Sequence, residues 1–394
     1  MSKLEELIQQ HCPDGVEYKR LGDVCKLARG TRVVKKDLSI NGAYPVYQNS
    51  LKPLGYYDQF NRAEETTFII CAGAAGDIGY SKVKFWSADD CFSVICPETI
   101  SNRYVFYCLL SQQNRIYSQV RKASIPRLSH SAVEALYIPV PPLPVQEEIV
   151  RILDNFAELQ AELQAELQKR LQQYNYYRDK LLSFNNLNGG GYAVSVEWKK
   201  LGDIATDWYR GAGIKRDEVS EEGIPCIRYG EIHTTYNIWF DECVSHTDEN
   251  KQPAKKYADY GDILFAITSE DIPFIGNSVA YIGKERILVG GDIVVMKHTQ
   301  NPKYMSYVLS TSDAVMQKGK GKVKSKVVHT NVPSLKEIVV PIPSLEEQER
   351  IATILDKFYA LTTDITAGLP AEIEARRKQY EYYRDLLLTF KQKA

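Results

Sequence analysis

Several features of membrane proteins and metalloproteins are missing from this sequence of 394 residues. No run of about 18 apolar residues occurs, and Met1–Gln10 is an amphipathic start rather than a signal peptide. The eight cysteines include no Cys-x-x-Cys pair, and no histidine stands near them at the spacing of zinc ligands. We therefore expect a cytoplasmic protein with no membrane segment, with free thiols and without a metal site.

Motifs for nucleotide binding and catalysis are also missing. The sequence has no Gly-rich phosphate loop ending in Lys-Ser/Thr, no G-x-G-x-x-G after an apolar run and no Asn/Asp-Pro-Pro-Tyr/Phe signature of amino-methyltransferases. Pro13-Asp14 with Glu17 and Lys19 superficially resembles a nuclease site, but this spacing is too tight for two strands to present the groups to one metal. These absences predict a chain without a catalytic site. A nuclease or methyltransferase with an unrecognised site is one alternative.

The charge is nearly balanced in total but unevenly distributed. The sequence has 49 Lys and Arg against 50 Asp and Glu, a net charge of -1. Residues 15–145 hold 16 basic against 11 acidic residues, and the acidic excess lies elsewhere, including Gln146–Glu166. A near-neutral total is compatible with DNA binding when the basic groups are concentrated on one face.

The same pattern occurs twice along the chain. The segment Ile138–Phe184 returns between Val340 and Phe390, with Ile-Leu-Asp-x-Phe and Tyr-x-Tyr-Tyr-Arg-Asp in both copies. Gly15–Val24 likewise matches Ser195–Ile204. An offset of about 180 to 206 residues indicates a duplicated domain pair rather than a solenoid. Such a pseudo-two-fold chain suits a target that also has two halves.

The repeated segments predict two long helices. Gln146–Phe184 has no Pro or Gly and is rich in good helix formers, whereas its copy from Ser344 is interrupted at Gly368–Pro370, where we expect a kink or short turn. Their apolar stripes predict an antiparallel coiled coil, although each helix could instead cover a sheet in its own domain. The stripe residues are Leu159, Leu163, Leu167, Leu171, Tyr174, Tyr177 and Leu181 in the first helix and Tyr380, Tyr383 and Leu387 in the second.

Short apolar runs bounded by Gly, Asp and Pro predict strands in both halves, at Thr67–Cys71, Phe92–Cys96, Asp262–Ile267 and Asp292–Met296. Helical stretches follow at Arg103–Val120 and Pro302–Lys318. The predicted fold class is α+β, with two mixed α/β domains separated by two long antiparallel helices. The predicted boundaries are 1–144 for the first domain with its N-terminal helix, 145–184 for the first long helix, 185–194 for a Gly-rich linker, 195–343 for the second domain and 344–394 for the second long helix.

Two basic segments stand at equivalent places, just before the last strand of each domain. Closely spaced ammonium groups repel one another unless they are solvated or face an anion, and a DNA phosphate backbone is the natural counterpart. A solvated surface loop is the alternative for either segment alone, and their repetition favours DNA contact. The candidates are Lys318, Lys320, Lys322, Lys324 and Lys326 in the second half and Arg121, Lys122 and Arg127 in the first.

A second pair of basic clusters accompanies an Arg-Gly dipeptide in each half. An arginine beside a glycine can present its guanidinium fork to guanine or phosphate. The same dipeptide also suits an ordinary tight turn, and the sequence does not decide between the two. The candidate DNA contacts are Arg29, Arg32 and Lys35 in the first half and Arg210 and Lys215 in the second.

Taken together, these segments resemble the specificity subunit of type I restriction-modification systems. The resemblance is carried by Gln146–Asp154, Glu347–Asp356, the Tyr-Tyr-Arg-Asp segments, the Glu-Leu-Gln-Ala tetrads and the Val196–Asp203 start of the second half. The resemblance spans essentially the full chain. It is specific, because the order domain, helix, domain, helix is itself the family pattern. The domain interiors lack family motifs, as expected for regions that vary with the target.

The resemblance implies a non-catalytic reader of double-stranded DNA in which each target-recognition domain reads one half of a bipartite site. It also implies that the helices set the spacer and dock two methyltransferase subunits, which use S-adenosylmethionine, and that restriction/translocase subunits consuming ATP and Mg²⁺ join them. The chain itself would bind no cofactor and no membrane. The alternative is a structural coiled-coil scaffold that binds other proteins.

Overall fold

The computed structural model of the protein describes residues 2–39, 41–184, 196–252, 254–320, 327–363 and 368–393. The chain divides into two compact units, of which unit 1 comprises Met1–Ala165 and Glu372–Ala394 and unit 2 comprises Glu166–Ala371. Each unit thus combines one mixed domain with parts of both long helical segments. The predicted linker 185–194 lies outside the described residues.

The helices are α1 Lys3–His11, α2 Leu21–Val24, α3 Asn102–Ser111, α4 Gln113–Ser118, α5 His130–Glu134, α6 Leu143–Ser183, α7 Leu201–Ile204, α8 Tyr229–Thr234, α9 Pro302–Leu309, α10 Ser312–Gly319, α11 Val332–Lys336, α12 Leu345–Thr363 and α13 Leu369–Leu387. The long helix predicted for 145–184 is therefore present as α6. The second predicted helix is α12 followed by α13, and the residues 364–367 between them, next to the predicted break, lie outside the described ranges.

The strands are β1 Tyr18–Arg20, β2 Lys26–Arg29, β3 Tyr44–Tyr47, β4 Gly55–Tyr57, β5 Thr66–Ile70, β6 Ile78–Ser81, β7 Trp86–Ser87, β8 Cys91–Ile95, β9 Tyr137–Pro139, β10 Glu197–Lys200, β11 Ala205–Arg210, β12 Val219–Ser220, β13 Ile224–Ile227, β14 Trp239–Phe240, β15 Ser245–Thr247, β16 Tyr257–Ala258, β17 Ile263–Ala266, β18 Thr268–Ser269, β19 Ser278–Tyr281, β20 Ile287–Val289, β21 Ile293–His298, β22 Val328–His329 and β23 Val339–Ile342. The four strands predicted from apolar runs are confirmed as β5, β8, β17 and β21. Each predicted helical stretch is divided into two helices, α3 with α4 and α9 with α10.

Unit 1 is built on an antiparallel sheet in the order β2-β8-β5-β6. A smaller sheet has the order β4-β3-β7, in which β3 and β7 are parallel, and β1 pairs with β9. The central strand β5 is buried along its whole length, which suits its β-branched and aromatic sequence. The first turns of α6 complete the core with the fully buried Val145, Ile149 and Leu153.

Unit 2 repeats this plan with additional strands. Its larger sheet has the order β11-β21-β17-β19-β14, and the first four strands correspond to β2-β8-β5-β6 of unit 1. The second sheet has the order β12-β15-β13-β20-β16, in which β13 and β20 are parallel, as β3 and β7 are. Here Ile351, Ala352 and Leu355 of α12 take the place that α6 has in unit 1. The predicted α+β fold class is thus confirmed.

In unit 1 the domain is attached to α6 by buried and partly buried polar contacts. The carboxylate of Asp154 forms an ion pair with Arg103 at 2.7 Å and accepts a hydrogen bond from the hydroxyl of Tyr107. The side-chain amide of Gln146 donates to the carbonyl of Pro141 at 2.7 Å. Because charge-assisted bonds are directional, these contacts set the angle at which the helix leaves the domain.

Unit 2 has the same attachment in its own copy. Asp356 of α12 forms an ion pair with Lys303 at 2.6 Å and accepts a hydrogen bond from the hydroxyl of Tyr307 at 2.6 Å. Gln348 donates to the carbonyl of Pro343 at 2.9 Å. The sequence repeat therefore includes the polar contacts between domain and helix as well as the helical segments themselves.

The long helical segments contact each other inside each unit through aromatic rings. In unit 1, the rings of Phe156 and Tyr383 stack with centroids 5.6 Å apart. In unit 2, Tyr174 packs against Tyr359 at 6.1 Å, and Tyr177 stacks on Phe358 at 6.4 Å. The aromatic end of the predicted stripe therefore lies between helices.

The leucine end of the stripe is less buried than predicted. Leu163, Leu167 and Leu171 are half-buried, and Leu159 is 53% exposed, so the prediction that the whole stripe is covered is wrong at Leu159. A step of four residues on a helix covers about 400°, which is one full turn plus about 40°. Leucines spaced four apart therefore rotate around the helix by about 40° at each step and leave the contact face. Of the remaining stripe residues, Tyr174 is buried, whereas Leu181, Tyr380 and Leu387 are half-buried, and Tyr177 and Tyr383 are partly exposed.

Candidate nucleic-acid interface

The Arg-Gly dipeptide of unit 1 lies where β2 ends. The amide of Gly30 donates to the carbonyl of Cys91 at 3.0 Å, and a Cβ on this glycine would lie 2.0 Å from the carbonyl oxygen of Ala88. The exposed Arg29 donates from Nε to the carbonyl of Asp89 at 2.9 Å. Gly30 is therefore required for a close backbone approach, while the rest of the Arg29 guanidinium stays open to solvent.

The Arg-Gly dipeptide of unit 2 makes the same close backbone approach. A Cβ on Gly211 would lie 2.2 Å from the carbonyl oxygen of Gly290. Arg210 donates from Nε to the carbonyl of Gly291, and its Nη2 pairs with Asp292 at 2.6 Å. The structure shows no tight turn at either dipeptide, because the amides of Gly30 and Gly211 continue the antiparallel pairing of the preceding strand by donating to Cys91 and Ile293. Each dipeptide fixes an exposed guanidinium beside the end of a central strand.

The basic segment of unit 1 is an exposed loop closed by its own ends. The amide of Arg121 donates to the carbonyl of Arg127 at 2.8 Å, and the reverse bond measures 3.2 Å. Arg121, Lys122 and Arg127 are all exposed. The loop thus presents three cations to solvent on a fixed backbone.

This loop lies at the same end of the sheet as the Arg-Gly dipeptide of unit 1. The amide of Leu128 donates to the carbonyl of Cys71 at 2.9 Å, which holds the end of the loop against β5. The amide of Cys71 donates to the carbonyl of Asp90 at 2.7 Å, and the preceding carbonyl accepts the hydrogen bond from Arg29. Arg29 and Arg127, 98 positions apart in the sequence, therefore lie at the same end of the sheet. Burial raises the pKa of the Cys71 thiol to about 11, and the positive charges of Arg29 and Arg127 oppose that rise.

The basic segment of unit 2 reaches the equivalent place, with one correction. The amide of Thr330 donates to the carbonyl of Ile267 at 2.9 Å, as Leu128 does to Cys71. Lys320 is exposed, but Lys318 is buried and its ammonium donates to the carbonyl of Leu309 at 2.8 Å. The prediction that Lys318 is a solvent-facing phosphate contact is therefore wrong, because its side chain lies inside unit 2. Lys322, Lys324 and Lys326 lie outside the described residues.

Burial of Lys318 makes the stability of unit 2 depend on pH. Burial lowers the pKa of Lys318 to about 7, against about 10.4 for lysine in an unfolded chain. Between these values the unfolded chain binds a proton that the folded chain has released, so the free energy of unfolding rises with pH. We expect Lys318→Met to remove a rise of roughly 2 kcal/mol between about pH 7 and pH 8.5, measured by urea unfolding at several pH values.

Lys320→Met is the matched control for this prediction. Lys320 is two positions away and exposed, so its removal should leave the pH dependence of the wild-type protein unchanged. Equal slopes for Lys318→Met and the wild-type protein would contradict a neutral buried amine at Lys318.

The remaining predicted cations are on the surface. Arg32, Lys35 and Lys215 are exposed, and Lys215 lies 3.8 Å from Glu218. None of the contacts among the described residues joins Arg32 or Lys35 to Arg29. These three cations therefore remain predictions as DNA contacts.

A cleft in unit 2 contains residues that the sequence patterns did not single out. It has a volume of about 1020 Å³ and is lined by Arg210, Arg216, Arg228 and Tyr229 together with several glycines. Glycines let a ligand backbone approach closely, and arginines can bind phosphates or base edges. The signal in the sequence was weak, since Arg228-Tyr229-Gly230 simply follows the short strand β13.

The attachment residues Gln146, Asp154, Gln348 and Asp356 were also not assigned a role from the sequence. The sequence repeat could have pointed to them, because Gln146 and Gln348 are 202 residues apart, as are Asp154 and Asp356. Repetition shows that a residue is required twice, but not which side chain it contacts. The contacts to Tyr107 and Tyr307 needed the tertiary structure.

Comparison with known proteins identifies the repeated unit. The family model for the type I restriction modification DNA specificity domain matches residues 13–173 and, a second time, residues 194–375. The chain belongs to the type I restriction-modification DNA specificity family. Its two matched regions are two copies of a DNA specificity domain, each including a mixed domain and part of the helix that follows it.

Relatives of this specificity chain align over nearly its whole length. The specificity subunit of the type I restriction enzyme EcoR124I/EcoR124II of Escherichia coli is 31% identical, with 99% of this chain and 97% of that protein covered. A putative type I restriction enzyme specificity subunit of Haemophilus influenzae is 32% identical, with 95% and 96% covered.

Solved structures share the fold. The crystal structure of a type I restriction-modification system S subunit from M. genitalium has a TM-score of 0.56 at 17% identity, covering 95% of this chain and 96% of that one. A chain from a structural study of complex assembly and conformational transition of a type I system has a TM-score of 0.59 at 16% identity, with 96% and 98% covered.

The described part of this specificity chain contains no helix long and apolar enough to cross a membrane. Within the same ranges, His, Cys, Asp and Glu form no group of three or more that could hold a metal ion. All eight cysteines are free thiols in the structure, and six of them are buried.

Proposed function

We propose that this chain is the DNA-reading subunit of a type I restriction-modification complex and has no catalytic site of its own. Each specificity domain reads one half of a bipartite, asymmetric site in double-stranded DNA. The observation that carries the proposal is the duplication of the specificity domain within one chain, since two copies with different surfaces match a target with two different halves.

Electrostatics support DNA as the ligand of these domains. In unit 1, Arg29 and the exposed loop with Arg121, Lys122 and Arg127 meet at one end of the central sheet. In unit 2, Arg210 lines a cleft with two further arginines. Exposed cations that converge at a sheet end are suited to phosphate oxygens, which position a protein on the duplex, and to base edges, which give specificity.

The proposal assigns the chemistry to partner subunits. Two methyltransferase subunits dock on the helical segments and use S-adenosylmethionine to methylate adenine, which requires flipping the base out of the duplex. Restriction/translocase subunits consume ATP and Mg²⁺ and cut unmodified DNA. Exposed Tyr176, Tyr177, Tyr382 and Tyr383 on α6 and α13 are suited to protein contacts, because aromatic side chains are enriched in interfaces.

The test is to sequence the genome of a host that carries this gene and its neighbouring methyltransferase gene by a method that detects methyl-adenine, with and without this gene. We expect a two-part motif that disappears when the gene is deleted. An unchanged methylome, with the methyltransferase expressed and active, would contradict DNA reading and favour the scaffold function.

A further inference from the structure

One position of the repeated frame carries glutamine in one unit and arginine in the other. In unit 1, β3 pairs in parallel with β7, and the amide of Ala88 donates to the carbonyl of Tyr47, the last residue of β3, at 2.9 Å. Gln48 is the next residue. Its side-chain amide has no hydrogen-bond partner within the ranges that the structure describes.

In unit 2, the equivalent position is Arg228. Strand β13 pairs in parallel with β20, and the amide of Gly290 donates to the carbonyl of Ile227, the last residue of β13, at 2.8 Å. The two backbone bonds are counterparts, so Arg228 occupies in unit 2 the place that Gln48 occupies in unit 1. Both side chains are half-buried.

Both positions lie near the Arg-Gly dipeptide. The carbonyl oxygens of Ala88 and Gly290 are those that block a side chain at Gly30 and Gly211. One short backbone segment therefore contacts the dipeptide on one side and the strand before Gln48 or Arg228 on the other. In unit 2 this arrangement brings Arg210 and Arg228 together, and both line the same cleft.

The guanidinium of Arg228 is held in place by Glu231. Its Nη2 and Nε donate to Oε1 of Glu231 at 3.2 and 3.4 Å. Glu231 is itself 7% exposed and accepts further bonds from the hydroxyl of Ser245 at 2.6 Å and the backbone amide of Arg228 at 3.0 Å. Nη1 has no acceptor among the described residues, so part of a preorganised donor fork remains available to a ligand in the cleft.

We propose that these two positions determine one base in each half-site, with Arg228 selecting guanine and Gln48 selecting adenine. An arginine fork matches O6 and N7 of guanine, whereas a glutamine amide supplies the donor and the acceptor that match N7 and N6 of adenine. The backbone pairing around the two positions is repeated while their side chains differ, which is an arrangement suited to reading two different half-sites. The proposal rests on the proposed function of DNA reading.

The experiment is selection from a pool of randomised duplex DNA by the chain assembled with its methyltransferase subunits. Arg228→Gln should change the preference at one position of the second half-site from guanine towards adenine, by about 10- to 100-fold. Gln48→Arg should produce the opposite change in the first half-site only. In each variant the other half-site and the gap should stay unchanged, which reports that folding and assembly are intact.

Arg216→Gln is the matched control within the cleft. Arg216 is exposed and forms no ion pair with the described residues, so its removal should weaken binding evenly across sequences. If Arg228→Gln and Gln48→Arg both select the wild-type motif, the proposal is overturned. If the wild-type complex selects no two-part motif, the proposed function fails instead. If Arg228→Gln does not fold, Gln48→Arg alone tests the proposal. This substitution removes no side-chain hydrogen bond within the described residues, so the variant is expected to fold.

Discussion

Deletion of Gln160–Leu163 is expected to shorten the unspecified gap of the DNA target while both half-sites keep their sequence. These four residues lie within α6, and their removal shortens a continuous helix by about 6 Å. Because base pairs are spaced about 3.4 Å apart, the gap should shrink by up to about two base pairs. Methylation of the original target should fall at least about 100-fold, since losing register with one half-site forfeits several base contacts at roughly 1–3 kcal/mol each. Methyl-adenine sequencing of modified plasmid libraries measures both effects.

The matched control for this deletion keeps the helix length. Gln160→Ala with Glu162→Ala changes the same segment at partly or fully exposed positions, and alanine is the best helix former. This double variant should retain the original gap. A deletion variant that also retains the original gap would rule out a role of α6 as a spacer.

Neutralising the basic loop of unit 1 is expected to weaken DNA binding and reduce its dependence on salt. The variant carries Arg121→Gln, Lys122→Gln and Arg127→Gln, three exposed cations on one closed loop. Each lost phosphate contact lowers the slope of log K against log salt by about 0.9, so the slope should fall by up to about 3. The affinity at roughly 0.1 M salt should fall by one to two orders of magnitude. Titration of the assembled complex with duplex DNA at several salt concentrations checks this.

A variant with the same change in net charge provides the control. Arg376→Gln, Arg377→Gln and Lys378→Gln remove three cations from α13, where each cation is already paired with a carboxylate of its own helix. Their removal should leave the salt slope unchanged, because paired surface cations release few counterions on binding. If both triple variants bind with the same slope as the wild-type protein, the loop does not contact phosphates.

The predictions that held were those that depend on local pattern. Strands such as β5 were predicted correctly because a run of β-branched and aromatic residues between turn residues has few alternatives. Helix α6 was predicted because no residue in its interior breaks a helix. Family membership could also be expected, since the repeated segments are long and specific.

The predictions that failed concern which side of an element faces solvent. Lys318 belongs to a run of alternating lysines, yet it closes α10 at a place where its side chain enters the core and reaches the carbonyl of Leu309. Leu159 belongs to a regular leucine repeat, yet the repeat drifts off the covered face. Charge and periodicity describe a side chain's chemistry and its angle on the helix, but not the position of the neighbouring element.

The sequence by itself determined that this protein repeats one domain-and-helix unit and belongs to the α+β class, because duplication and helix patterns are written in linear order. The resemblance of the repeated segments to known specificity subunits indicated the family. Only the tertiary structure brought Arg29 and Arg127 to the same end of the sheet and made Gln48 and Arg228 counterparts. Those relations join residues that are far apart in the chain or lie in segments without sequence similarity. They arise from strand pairing, which brings together backbone groups regardless of their side chains, so no local pattern records them.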